Sequence, residues 1–276
     1  MARQTILAHL DDVGVSSGSV VAWKALRAAG VVNSASVMVP CPWYRAAVDD
    51  WHSQPDQDLG VHITLTSEWS TYRWRPLIGP VAGLTDDEGF FHRRPDSVVQ
   101  QADPAAVADE IAAQIERALE DGIRPTHLDV HMGTAFLPPF ARSLVDASER
   151  YDIPLMVCRD FAPLIEAVGL APLDVGYLTE IIQEFDARGA RVFDRFLIGF
   201  CPDTMDTREH FARILAEGGP GRHWLALHAN APDDTRAFAP QTAVAREKEY
   251  AFFSRADSKS LFAEADSQTR NWLTLD

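Results

Sequence analysis

Cysteine is scarce in this chain and long apolar runs are missing. Cys41, Cys158 and Cys201 are odd in number and far apart, with neither a CxxC pair nor a disulfide framework, so a reducing cytoplasm is the expected setting. No stretch approaches the roughly 20 apolar residues that a membrane-spanning helix needs. The first residues, Met1-Ala2-Arg3-Gln4, run straight into an apolar strand without a secretory leader pattern. Positive charge is also short. Lys and Arg number 25 against 40 Asp and Glu, a net charge of −15, which argues against nucleic acid or an anionic membrane as partner. That balance fits a soluble enzyme acting on a neutral or cationic small substrate. What is present, 276 residues with 46% hydrophobic content, suffices for a large α/β core.

Short apolar runs alternate with helical periodicity along most of the sequence. Strands are expected from Thr5 to the Asp11-Asp12 pair, then over 34–39, 59–65, 126–131, 155–157, 191–193 and 224–228. Helices are expected over 17–29, 103–121, 138–151, 173–188, 209–217 and 244–255. Gly30 is placed to stop the first of them. In the second, Asp103 can cap, Pro104 suits the first position, and Val107, Ile111, Ile115 and Leu119 form a core stripe. Residues 68–95 break the rhythm with Trp69, Tyr72, Trp74, Phe90, Phe91 and His92 among Pro and Gly. So long an irregular stretch reads as a binding loop or lid, or as aromatics packing an insertion onto the domain. With no repeat or linker, the expectation is one domain over 1–276 carrying that insertion.

Repeated βα units with few hairpin signals predict a parallel sheet. The polar residues that stand out, Asp11 and Asp12, His62, His131 and His228, fall at or near the carboxyl ends of four strands. Catalytic groups gather on that rim in α/β barrels. An open doubly wound sheet would also bind there, but its glycine-rich phosphate loop is absent. The predicted architecture is therefore an irregular TIM-like (β/α) barrel.

Two adjacent carboxylates repel, and a cation or a catalytic proton between them relieves the repulsion. On this stretch alone, a solvated turn with Asp as a helix cap serves equally well. Each histidine alone is more often a hydrogen-bonded core residue than a ligand. Taken together, Asp12, His62 and His131 make a set of one carboxylate and two imidazoles from three strands, leaving positions open for water and substrate. His127, Asp129 and His131 alternate onto one strand face, so Asp129 can orient a ligand imidazole while His127 lies deeper as a structural residue. His9 shares a face with Asp11 and is a candidate partner for it. His52, His92, His210 and His223 have no motif context.

These motifs resemble the YdjC-like carbohydrate deacetylases, the family that includes chitooligosaccharide deacetylase. The family pattern Asp-Asp-x-Gly is met at Asp11 to Gly14, and the following segment resembles the run from Gly30 to Val39. Gly-x-His-x-x-Leu-Thr is met at Gly60, His62, Leu65 and Thr66, and Pro-Thr-His-x-Asp-x-His from Pro125 to His131. A late strand ending in His, then a helix rich in Arg and Glu, matches His228 and the stretch around Arg246 to Glu249. The resemblance implies a metal-dependent hydrolase that removes acetyl from an N-acetylated sugar or chitooligosaccharide-like substrate. By motif position, Asp11 is the expected base, His228 the expected acid, and Asp12, His62 and His131 the metal ligands.

One divalent metal ion is therefore expected. The ligand chemistry favours zinc, and magnesium, nickel, cobalt, manganese and iron stay open. Trp69, Tyr72 and Trp74 are candidate sugar-stacking residues, with Arg73, Arg75 and Arg159 as hydrogen-bond donors. A small N-acetylated sugar is the expected partner, with no nucleic acid or membrane, and a homodimer is allowed. The sequence departs from the family after His131, where Met132-Gly133-Thr134 replaces further histidines, and at Leu227-His228-Ala229-Asn230, where the family often has Cys-His-Pro-Gly. Both changes alter pocket walls and leave the ligands and the acid in place. Other readings are an amidohydrolase or phosphoesterase, which usually carries His-x-His on the first strand, and a non-catalytic carbohydrate-binding relative, which would lack the base or a ligand.

Overall fold

The computed structural model describes residues 4–169 and 176–275. Its strands are β1 (Gln4–Val13), β2 (Ser34–Val37), β3 (Asp58–Ile63), β4 (Leu128–Val130), β5 (Val157–Asp160), β6 (Val192–Leu197), β7 (Gly221–Leu227) and β8 (Ser267–Arg270). The helices around them are α1 (Ser17–Ala29), α2 (Tyr44–Ser53), α3 (Pro95–Gln101), α4 (Pro104–Glu120), α5 (Ala141–Tyr151) and α6 (Ala162–Ala167). They continue with α7 (Gly176–Ala187), α8 (Thr207–Gly218), α9 (Thr235–Phe238), α10 (Pro240–Phe253) and α11 (Lys259–Glu264).

Neighbouring strands pair in parallel in the order β4-β3-β2-β1-β7-β6-β5. The ring closes just before β5, where a parallel bridge joins Leu128 to Leu155, with Leu128 N–H on the Pro154 carbonyl at 2.8 Å. The predicted TIM-like barrel is thus the observed fold. β8 was not expected, because its residues Ser-Gln-Thr-Arg carry no apolar signal. It pairs with Gln4 to Leu7 of β1, below the point where β2 takes up the same edge at His9.

Local chemistry accounts for the helices that position the rim. Ser16 and Ser19 form a reciprocal capping box on α1, and Gly30 ends it in the left-handed region at φ 64°. Asp103 caps α4 and Pro104 opens it, as expected. Its buried stripe runs Val107, Ile111, Ile115 and Ala118; Leu119 was expected there but faces solvent, because a 3.6-residue turn carries it past the core.

Other boundaries shift for identifiable reasons. The strand expected over 126–131 is β4 alone, since His131 begins a 3-10 turn in which Met132 and Gly133 are left-handed. The strand expected over 155–157 starts at Val157, with Leu155 contributing only the closing bridge. Residues 173–175 of the helix expected over 173–188 lie outside the described residues. The 68–95 insertion is irregular, as expected, and pinned rather than loose. Trp74 donates its indole N–H to the Thr66 carbonyl at 2.8 Å, and buried Glu110 of α4 accepts the Leu77 and Ile78 N–H groups at 3.1 Å. Among the described residues, no helix is long and apolar enough to cross a membrane.

Candidate active site

In a regular strand, Asp11 and Asp12 would point to opposite faces. Here β1 is irregular between Leu10 and Val13, and Asp12 sits in the left-handed region at φ 64°. Such a conformation costs about 1–3 kcal/mol outside glycine and persists where surrounding contacts enforce it. It turns both carboxylates toward one cavity of about 220 Å³ at the strand ends.

Asp12 is the hub. Its Oδ1 lies 3.0 Å from His131 Nδ1 and 3.4 Å from His62 Nε2, and its Oδ2 lies 2.9 Å from Arg246 Nη1. Burial alone would raise this carboxyl, but Arg246 and His131 outweigh burial and hold it well below the usual carboxylate range. His62 comes from β3 beside Asp129 of β4, with which it is in register. Its Nδ1 lies 2.9 Å from Asp129 Oδ1 and 3.0 Å from Ser36 Oγ, so Nε2 is aimed at Asp12. Burial would lower His62, but Asp129 and Asp12 raise it well above the ordinary imidazole value. Asp129 itself, against the pull of burial, is held down to about 2 by His62 and its other imidazole neighbours.

His131 Nε2 lies 3.2 Å from Glu68 Oε2. Burial opposes its protonation, and Glu68 with Asp12 raises it to about 9. On the other side of the cavity, the His228 N–H donates to Glu249 Oε2 at 2.6 Å and its ring lies against Phe200, with centroids 5.1 Å apart. Burial lowers the His228 imidazole, and burial pushes the Glu249 carboxyl up to about 8. His228 Nε2 stands 3.9 Å from Asp11 Oδ2, while Asp11 Oδ1 is held by His9 Nδ1 at 2.6 Å.

The structure thus brings Asp11, Asp12, His62, His131 and His228 to one cavity, with Asp129 behind His62. Trp69 lines the cavity as well. The other stacking and donor candidates are placed elsewhere. Trp74 is buried under the insertion, and Tyr72 gives its hydroxyl to the Val15 carbonyl and stacks on Phe238 at 4.2 Å. Arg159 forms a two-pronged pair with Asp186 and lies outside the cavity lining, and Arg73 is tied to Asp86. Arg75 lies over the Phe90 ring. Two cavity groups carried no assigned role in the sequence: Glu68, at the start of the insertion, and Arg246, on α10. Only the Arg- and Glu-rich stretch around Arg246 signalled the second.

The donor atoms of Asp12, His62 and His131 all lie within 4.8 Å of one another. One ionised carboxylate and two imidazoles, one of them oriented by a carboxylate behind it, fit a divalent cation with N and O ligands. The rest of the wall is apolar, with Met132, Phe136, Leu164, Val168 and Ile198 facing the polar end.

Comparison with known proteins agrees with this architecture. A family model described as YdjC-like protein matches residues 5–264. A protein named carbohydrate deacetylase from Thermus thermophilus is 29% identical over 262 residues, covering 95% of this chain and 90% of its own. A namesake from Thermoanaerobacter pseudethanolicus is 24% identical over 231 residues, covering 83% and 82%. A solved structure from Enterococcus faecalis V583, described as a cellobiose-phosphate cleavage protein, superposes with a TM-score of 0.77 at 19% identity over 99% of both chains, a likeness of fold. With the family model matched along nearly its whole length, the chain belongs to the YdjC-like protein family.

Proposed function

We propose that this chain is a metal-dependent hydrolase that removes the acetyl group from an N-acetylated sugar. The observation that carries the reading is the convergence of Asp12, His62 and His131 with Asp11 and His228 on one cavity. The names of the relatives support the carbohydrate substrate.

Asp12, His62 and His131 would hold the ion, with Arg246 keeping Asp12 ionised and Asp129 fixing the His62 ring. A divalent ion held there supplies Lewis-acid polarisation of the amide carbonyl and activation of water at neutral pH. Asp11 takes the proton of the attacking water through Oδ2, the oxygen left free by His9. His228 is neutral at rest, because burial lowers it, so it becomes an acid only after receiving a proton. Asp11 Oδ2, 3.9 Å away, is the nearest donor and passes the proton on through one bridging water. His228 then protonates the leaving amine.

The cavity of about 220 Å³ is below the roughly 300–1,000 Å³ of typical small-molecule sites. It favours one acylated sugar ring at the reacting end, with Trp69 at its edge. Buried free thiols at Cys41, Cys158 and Cys201 fit a reducing cytoplasm. The test is acetate release by metal-reconstituted protein over a panel of N-acetyl sugars, with zinc and magnesium compared. Asp11→Asn should lower kcat by about 10²–10⁴-fold; full activity in that variant overturns the assignment of the base.

A further inference from the structure

Beneath the cavity, the barrel interior holds a file of polar side chains. Asp11 Oδ1 meets His9 Nδ1 at 2.6 Å, and His9 Nε2 meets His127 Nε2 at 2.9 Å. His127 Nδ1 lies 2.9 Å from Thr126 Oγ1 and 3.5 Å from Asp58 Oδ1. Thr126 Oγ1 donates to Asp58 Oδ1 at 2.6 Å, and the Trp272 N–H donates to Asp58 Oδ2. His9, His127 and Asp58 are all buried. Gly60 of β3 makes the room, since a Cβ there would stand 2.4 Å from the His127 ring.

The donors and acceptors in this file leave little freedom. Asp58 accepts from both Thr126 and Trp272, as an ionised carboxylate does. Thr126 has one hydroxyl proton, and it goes to Asp58. His127 must therefore donate from Nδ1, which in a neutral ring leaves its Nε2 as the acceptor. Two nitrogens 2.9 Å apart need one donor, so His9 must donate from Nε2. If Asp11 is the base, its Oδ1 at 2.6 Å is an acceptor, and His9 Nδ1 needs a proton as well.

We propose that His9 is a positioning residue, held as an imidazolium by Asp58, Thr126 and His127, that occupies Asp11 Oδ1 and makes Oδ2 the basic oxygen. The proposal rests on Asp11 being the base. It directs the accepted proton to the side of Asp11 that faces His228. The remaining acidic neighbour of His9, Asp129 Oδ2, is 3.9 Å away and already accepts from Ser36 Oγ at 2.8 Å, and the rest of its surroundings includes the Trp224 ring. Burial by itself would lower His9, yet the hydrogen bond and charge of Asp11, with Asp129 and Asp58, raise it.

Side-chain nitrogen-15 spectra of the full chain, with zinc added and no substrate, read these states directly. At pH 7, His9 should carry protons on both nitrogens and His127 on Nδ1 alone. In His127→Phe, His9 should revert to a neutral ring protonated at Nδ1. His9→Asn keeps a donor for Asp11 and should lower kcat about 10-fold with KM unchanged, and His9→Ala about 100-fold. A neutral His9 or an Nε2-protonated His127 in the wild type overturns the proposal, as does unchanged kcat in both His9 variants. The wild-type spectra need neither substrate nor a folded variant. A protein that releases no acetate refutes the deacetylase reading while the spectra still decide the state of His9.

Discussion

Asp12, His62 and His131 at the rim, and His9, His127 and Asp129 below them, each place ligand atoms within 4.8 Å of one another. By residue type and spacing both are metal sites. They differ in which neighbours hold them and in whether a cavity reaches them. In the lower group, His9 uses Nδ1 on Asp11 and Nε2 on His127, and His127 uses Nδ1 on Thr126. Its side chains are fully buried, so an ion would have to displace satisfied hydrogen bonds and cross the barrel wall. In the upper group, His62 and His131 both point at a single carboxylate that borders an open cavity. Both groups have their nitrogens and oxygens engaged, so access from the cavity, rather than ligand spacing or saturation, separates a site from a support.

The comparison breaks most sharply at Asp12. Asp12→Ala should abolish tight zinc binding in titration calorimetry and lower activity by more than about 10³-fold, since a Lewis-acid centre contributes several kcal/mol. His127→Phe should leave zinc affinity within about twofold. A larger loss of zinc in His127→Phe than in Asp12→Ala would reverse the assignment of the two groups.

The pH dependence of stability should separate them next. The folded-state pKa of His131, about 9, exceeds its unfolded value of 6.5. Its contribution is therefore complete below pH 6.5 and is lost as pH rises through 9, on the order of 3 kcal/mol in the metal-free chain. Thermal melts from pH 6 to 10 should show this loss, and excess zinc should suppress it. A metal-free melt that is flat across this range would contradict the ion pairing of His131 with Glu68 and Asp12.

Smaller effects probe what stands behind each group. Asp129→Asn removes the charge that fixes His62 and should weaken zinc affinity about 10–100-fold. His127→Phe leaves His9 Nε2 and Thr126 without their partner, at about 1–3 kcal/mol for each unsatisfied group. Melting curves should therefore register His127→Phe even where zinc titrations do not.

The upper group was legible in the sequence because its residues end strands. Asp11-Asp12, His62 and His228 stand out as polar residues closing apolar runs, and His131 follows one residue after β4. Its partners were less legible, because nothing local marks them. Glu68 opens an irregular loop, and Arg246 reaches Asp12 from a helix more than two hundred residues away in sequence. His127 was read as deep and structural, but its role in setting the His9 ring depends on Asp58, Thr126 and Trp272, which only the closed barrel brings together. The aromatic run of the insertion shows the converse failure. Tryptophan beside tyrosine signals a flat apolar surface, and that signal is the same whether the surface meets a sugar or the protein itself. Trp74 and Tyr72 meet the protein.

Among Trp69, Tyr72 and Trp74, Trp69 is the candidate stacking residue that borders the cavity, and it offers the finest test of the contrast between site and support. Its ring packs against Trp74 of the insertion at 5.6 Å and Phe238 of α9 at 4.8 Å, and the residue also lines the cavity. Trp69→Ala should raise KM for an acetylated sugar by about tenfold, near the 1.4 kcal/mol that a lost stacking contact represents, with kcat nearly unchanged. Trp74→Ala removes a buried packing ring instead, and should lower the melting temperature more than it moves KM. If Trp74→Ala raises KM while Trp69→Ala does not, the sugar is held from the far side of the insertion, and the cavity wall formed by Met132, Phe136 and Leu164 takes the acyl group alone.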